Sequence, residues 1–516
     1  MSLAARVGRA IFWGQAGRVA EAAILFFFSL LLARVLGPAS YGLYALGMSI
    51  AGVCGFLTLL GLGPETLGRF LPEIAADSER QRANGLLRAL LAIRATAIIF
   101  VACLVFSFRN VISARLHFRL VVASLAAVLV VFAARSILDL LTSFSSGLLD
   151  LRSVAVAKLA GSAAAPALFF ALLTFGHASA GVAWIATAGS SLIGILVLAS
   201  PVVGRRSSPI ADQHVAVKRI LAFGMFAWTT NFFMYILGDN TDVLLLGFIL
   251  SDPAAIGHYA VGAKIVFSLT GLLLGWAALV SVASFAECRQ RLGKAAMARM
   301  VEAQWRLAVL CVVGPSLLLL RYSREIITAA YSADYAPSVA VTQVLCVLMA
   351  CAAVLGFSLG TSALYAIGKE RLACAIVGAA ATFNIVAEVF LVRRIGILGA
   401  ACATGLSFVV LAVLSGAASR IYVPWRFPAE FVGKVIVASF VALVPTFYIR
   451  ADSFMAMAAG ALAWGMSFFL GLLILKPLGP FDFAALTRIN PHLAALAGSF
   501  STRRLDAAIE GAPWQE

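Results

Sequence analysis

The chain is dominated by long apolar runs separated by short polar stretches. Fourteen such segments can be marked, at roughly 14–36, 41–64, 85–107, 120–147, 155–175, 179–203, 219–250, 255–285, 300–320, 337–367, 372–392, 398–419, 432–449 and 453–475. Each is long enough to cross a hydrocarbon core of about 30 Å as a helix. Strands of a membrane barrel would alternate apolar and polar positions. Segments such as 123–134 and 272–280 are apolar on every face instead. The pattern predicts an all-α polytopic membrane protein with about fourteen transmembrane helices.

Composition agrees and excludes other classes. Of 516 residues, 62% are hydrophobic and only 12% are charged, and the mean hydropathy is +1.00. A soluble domain is about half apolar and about a quarter charged. A soluble enzyme, a disordered chain and a nucleic-acid-binding module are therefore excluded. The eight cysteines lie mostly in apolar runs without a C-x-x-C pair, so they read as packing residues. The first apolar run is longer than the core of a secretion signal and continues as a span, so no cleaved leader is expected.

The net charge of +16 becomes informative once it is sorted by loop. With the N-terminus inside and fourteen helices in order, 26 of the 39 basic residues fall on the inner side and 9 on the outer. This bias predicts that both termini are cytoplasmic. Four basic residues remain within the spans: Arg18, Arg94, Arg135 and Lys264.

The chain also repeats itself. Leu36–Gly47 (LGPASYGLYALG) aligns with Ser251–Gly262 (SDPAAIGHYAVG), pairing Pro38 with Pro253, Gly42 with Gly257, and Tyr44 with Tyr259. Both copies sit in the first outer turn of a half. Parallel repeats of this kind are frequent in transporters. The expected organisation is a six-helix bundle at 1–215, a second at 216–425, two added helices at 426–476, and a cytoplasmic tail at 477–516.

Leu32–Tyr44 resembles the first outer turn of the oligosaccharide flippase (Wzx-type) family, within the multidrug/oligosaccharidyl-lipid/polysaccharide exporter superfamily. Gly61–Glu73, the stretch from Asp242 through Gly257–Val261, and Gly396–Thr404 are similar to it as well. The resemblance covers the first twelve spans in order and rests on the spacing of loose glycine, proline and aromatic turns. It implies two bundles facing each other in a V around a cavity that opens alternately inward and outward. The implied location is a bacterial inner membrane. The implied cargo is a polyprenyl-pyrophosphate-linked glycan, moved to the outer leaflet for surface polysaccharide synthesis. Glycosyltransferases and a polysaccharide polymerase are the implied partners.

No hydrolytic, nucleotide-binding or metal motif is present, so no enzyme activity and no cofactor are expected. The chemistry is expected at charges inside the spans, because a lipid-facing charge costs several kcal/mol. A pyrophosphate needs compensating cations in a wet cavity, and arginine offers forked donors for its oxygens. Arg18, Arg135 and Lys264, with Arg94, are the candidate substrate contacts. Asn231, Tyr235 and Trp228 are suited to sugars. The competing reading is local pairing, since Glu21 follows Arg18 at i+3 and Asp139 follows Arg135 at i+4. Asp239, Asp242 and Glu388 are candidates for binding a coupling proton or sodium ion, or for pairing with Lys264. An ion-coupled multidrug exporter of the same superfamily and a lipid II flippase are the alternative functions, and a scaffold has no need of intramembrane arginines.

Overall fold

The computed structural model describes residues 3–63, 66–67, 70–71, 80–116, 122–148, 150–199, 214–357, 359–449 and 453–475. The predicted tail at 477–516 lies outside them. Fifteen α-helices follow one another: α1 (Leu3–Leu57), α2 (Arg80–Ser107), α3 (Arg109–Arg115), α4 (Val122–Gly147), α5 (Leu151–Leu173), α6 (Ala180–Ala199), α7 (His214–Ile236), α8 (Asp239–Ile249), α9 (Pro253–Ala330), α10 (Ser338–Val354), α11 (Leu359–Ala366), α12 (Glu370–Ile395), α13 (Ile397–Tyr422), α14 (Ala429–Tyr448) and α15 (Phe454–Leu475). Among the described residues there is no strand. With no water in hydrocarbon, only helices satisfy their own backbone groups within a single segment.

Twelve helices among the described residues are long and apolar enough to cross a membrane, or thirteen when a bent pair counts as one span. The expected fourteen is not reproduced as a count, and the difference has a local cause. Gly17–Leu57 is one continuous run of 41 residues, about 60 Å of helix or twice a hydrocarbon core. It merges the first two expected spans across Gly37, whose φ of 71° and ψ of 170° are not helical. The residue before a proline avoids the α region, and glycine reaches positive φ without a Cβ penalty.

The expected span 219–250 is likewise broken. α7 and α8 meet at an angle of 54°, because Gly238 is extended and Asp239 opens the second helix. α9 is broken at Gly293, with φ of 83°. The stretch from Glu287 to Arg299 around it holds five of the helix's eleven charged residues. Chains with such breaks line cavities more readily than straight helices do.

The described chain forms two compact units, interleaved along the sequence. Unit 1 holds residues 1–268, 330–344 and 377–407. Within it the repeated turns meet. A Cβ at Gly42 would overlap the Pro253 carbonyl oxygen, and a Cβ at Gly257 would overlap the Pro38 carbonyl oxygen. The contact is reciprocal, as a pseudo-twofold relation requires. Beyond the other end of α1, Gly61 and Gly224 of α7 also approach closely. Between them Phe56 stacks on Trp228 and Tyr235, with ring centroids 5.4 and 5.1 Å apart. Trp228 Nε1 donates to the Phe56 carbonyl at 3.1 Å.

Unit 2 holds residues 269–329, 345–376 and 408–516. Its core is built on Trp305, which donates to the Val354 carbonyl at 2.9 Å and packs edge-on to Trp425 at 4.7 Å. The last helix docks on α9 by filling glycine gaps. Trp464 of α15 lies against Gly314, and Tyr322 lies against Gly460. Arg321 Nη2 donates to the Thr446 carbonyl near the C-terminal end of α14 at 3.3 Å. Large apolar side chains such as Phe27, Phe100 and Phe390 are about two-thirds exposed, as lipid-facing positions are.

Replacing Gly42 with valine should cost about 1–3 kcal/mol by overpacking. Gly176 has open space around it, so Gly176→Val should leave stability unchanged. Thermal unfolding of the two purified variants in one detergent checks the contrast.

Candidate functional site

All eight candidate residues fall within unit 1, so their surroundings can be compared directly. The most organised group lies where α8, α9, α12 and α13 meet. Asp242 stands in the first turn of α8, where the helix dipole favours an acid. It is fully buried. Its Oδ2 accepts two hydrogen bonds, one from the Tyr259 hydroxyl and one from Thr404 Oγ1 at 2.7 Å. Asn384 Nδ2 in turn donates to Thr404 Oγ1 at 3.3 Å.

Glu388 follows Asn384 by one helical turn on α12 and is also fully buried. It shares one electrostatic neighbourhood with Asp242. Asp242 Oδ1, Asn384 Oδ1 and both Glu388 oxygens have no donor among the described residues. No arginine or lysine among the described residues pairs with these four buried oxygens. Hydrocarbon or protein interior does not tolerate such a set unless a proton or a hard cation completes it. The all-oxygen donors suit a cation such as sodium, and equally a shared proton.

Asp239 is placed differently. It sits one turn earlier on α8, is half-buried, and has Lys264 as its charged neighbour. Asn231 is half-buried on α7. One turn on, Tyr235 keeps an unpartnered hydroxyl, while its ring is engaged by Phe56.

The expected cations separate into two kinds. Arg94 is 1% exposed, and its Nη1 donates to the carbonyl of Thr58, just past the end of α1. Thr58 also bonds Ser136 Oγ on α4 at 3.3 Å. Arg94 thus ties α2, α1 and α4 together and has no open face. Arg18 and Arg135 are exposed. The local pairs expected for them are not formed: Glu21 pairs instead with Lys158 of α5 at 3.2 Å, and Arg135 and Asp139 form no ion pair among the described residues. Arg135, Lys158 and Glu21 nevertheless share one electrostatic neighbourhood with Asp139. That neighbourhood sets two cations, Arg135 and Lys158, beside two carboxylates, with Arg94 as a third cation.

Three partners escaped the sequence reading. Tyr259 was visible as the repeat equivalent of Tyr44, and Thr404 closes a family-like stretch. Asn384 was findable only from its i+4 spacing to Glu388. The link from Arg94 to Thr58 joins residues 36 apart through a backbone carbonyl, which leaves no mark in the sequence.

Arg94→Met keeps the side-chain length and strands the Thr58 carbonyl. It should lower stability by about 1–3 kcal/mol, whereas Arg18→Met should be near neutral. Denaturation midpoints of the two variants separate a packing arginine from an open one.

The family model described as polysaccharide biosynthesis protein matches residues 7–287, more than half of the chain. Sequence comparison with curated proteins gives no match. Among solved structures, the lipid II flippase MurJ in an inward closed conformation is similar with a TM-score of 0.66 at 14% identity, covering 89% of this chain and 98% of that one. An inward-facing multidrug resistance MATE family transporter of the MOP superfamily gives 0.62 at 13% identity, covering 77% of this chain and 94% of that one. An outward-facing transporter of the same description gives 0.51 at 15%, covering 81% and 94%. These likenesses show a shared fold, that of multi-pass membrane transporters. With more than half its length matched by one family model, the chain belongs to the polysaccharide biosynthesis protein family.

Proposed function

We propose that the protein is a flippase that moves a polyprenyl-pyrophosphate-linked oligosaccharide across the cytoplasmic membrane by alternating access. Both termini are then cytoplasmic, Gly37 divides two crossings, and the halves 1–215 and 216–425 are the moving bundles. The observation that carries this reading is the group of open cations within the spans. Arg18 and Arg135 are exposed, and Lys264 is partly so. A charge held inside a membrane segment needs a partner, and a pyrophosphate is the dense anion that polysaccharide precursors supply. Arg94 is left out of the substrate set, since it is buried and its Nη1 is held by the Thr58 carbonyl. The aromatic residues beside Asn231 suit sugar faces. Glycosyltransferases would supply the cargo and a polymerase would consume it.

The Asp242–Glu388 group supplies the coupling. It takes one monovalent cation, sodium or a proton, whose binding and release accompany the change of access. Asp239, at i−3 on the same face of α8, is the carboxylate through which the cation passes. The buried acids also favour a second reading, an ion-coupled exporter of cationic drugs. The fold shared with a lipid II flippase keeps that substrate as the nearest variant of the first.

Reconstituted protein given fluorescent polyprenyl-pyrophosphate glycan distinguishes these. Translocation should fall at least about tenfold in Arg135→Ala, in line with the loss of a charge-assisted phosphate contact. Wild-type rates in that variant, or transport of cationic dyes in preference to the glycan, would overturn the assignment. Labelled lipid II offered in competition identifies which glycan is preferred. Asp242→Asn should abolish the acceleration given by an imposed sodium or pH gradient, read in the same vesicles.

A further inference from the structure

The repeat places a tyrosine two residues after each of the paired glycines, Tyr44 after Gly42 and Tyr259 after Gly257. The two have different partners. The Tyr44 hydroxyl meets Thr187 Oγ1 at 3.2 Å, a neutral contact between α1 and α6. The Tyr259 hydroxyl donates to Asp242 Oδ2, inside the group with four unpartnered oxygens. Tyr259 is fully buried. It therefore connects a carboxylate on α8 to the turn of α9 where the two repeats lock backbone to backbone.

We propose that Tyr259 is a positioning residue that transmits cation occupancy at Asp242–Glu388 to the closure formed by Gly42 and Gly257. The inference rests on the coupling reading above and adds the route by which that site governs access. The groups facing Asp242 are Tyr259 from α9, Thr404 from α13, Asn384 and Glu388 from α12, and Asp239 from α8 itself.

The mechanism follows from the division of labour on one carboxylate. Oδ2 is held by Tyr259 and Thr404, and Oδ1 is free for the cation. A bound sodium or proton offsets the repulsion between Asp242 and Glu388, so Oδ2 stays on Tyr259 and the closure stays shut. Loss of the cation leaves two carboxylates opposed at close range. Asp242 then moves away from Glu388, Tyr259 loses its acceptor, and the Gly257 turn is freed from Pro38. Tyr44 has no charged acceptor, so the matching turn on α1 follows passively.

The test uses the full-length protein in lipid nanodiscs. Two quantities are read with and without sodium, and across pH: the melting temperature, and hydrogen exchange of the backbone amides in 36–47 and 251–262. In wild type and in Tyr44→Phe, the cation should raise the melting temperature and slow exchange in both segments by about tenfold, the scale of a hydrogen bond to a charged group. In Tyr259→Phe the melting shift should persist, while the effect on exchange falls below about twofold. A purely structural role would speed exchange with and without cation alike and leave the ratio intact. That outcome, or a wild-type ratio in Tyr259→Phe, overturns the proposal. If neither sodium nor protons shift the melting of wild type, the coupling reading itself fails.

Gly257→Ala serves as an independent variant, because its Cβ overlaps the Pro38 carbonyl without touching the carboxylates. It should retain the cation-dependent melting shift and show fast, cation-insensitive exchange. A cation-sensitive closure in this variant would also overturn the proposal.

Discussion

Helices in a bilayer gain little from burying apolar side chains, because lipid is equally apolar. What holds them is close approach, and close approach needs positions without side chains. The Gly42–Gly257 contact is the clearest case here. Two backbones meet at a distance that no larger residue allows, and the same sequence motif supplies both sides. Much in unit 1 depends on it: it sets the spacing of α1 and α9, and with Gly61–Gly224 at the far end it keeps Phe56 within reach of Trp228 and Tyr235. Tyr335 adds a bond to the Ala33 carbonyl at 2.9 Å, closing the helix end just before Gly37. Unit 2 uses the same device with side chains as plugs, at Gly314 and Gly460.

The second constraint is electrostatic. Each charge within a span must be neutralised, shared or exposed to water, and unit 1 shows all three solutions. Glu21 and Lys158 neutralise each other. Arg94 spends its charge on a backbone carbonyl at a helix end, where the dipole is negative. Arg135 stays open. Asp242 and Glu388 follow none of these courses, since they are buried together and their remaining oxygens find no donor.

Much of this was legible in the sequence, for reasons that also explain what was not. Span existence follows from hydropathy, which is a local property, and the all-helical membrane fold emerges from it directly. The Gly37–Pro38 turn was visible as a boundary. Its effect on the count was not, because a glycine with ψ near 170° bends the chain without interrupting the helical ladder on either side. Candidate charges were found because charge inside an apolar run stands out. Their partners were harder to find: i+3 and i+4 spacing predicted Arg18–Glu21 and Arg135–Asp139, but the folded chain offers partners from other helices, and Glu21 chose Lys158. Tyr259 and Thr404 are ordinary residues for a membrane helix and acquire meaning only from the carboxylate they hold.

The asymmetry between the repeats carries the last step. The repeated motif gives two matching turns, two matching glycines and two matching tyrosines. Carboxylates accompany only one of them. Position 27, the counterpart of Asp242 at the same offset of 215 as the tyrosines, is Phe27, which is largely exposed. The first half keeps Arg18 and Arg135 open, whereas the second keeps Asp242 and Glu388 buried. A symmetric frame has thus been loaded with opposite charges. The glycine contact is where these two differently charged halves are packed backbone to backbone.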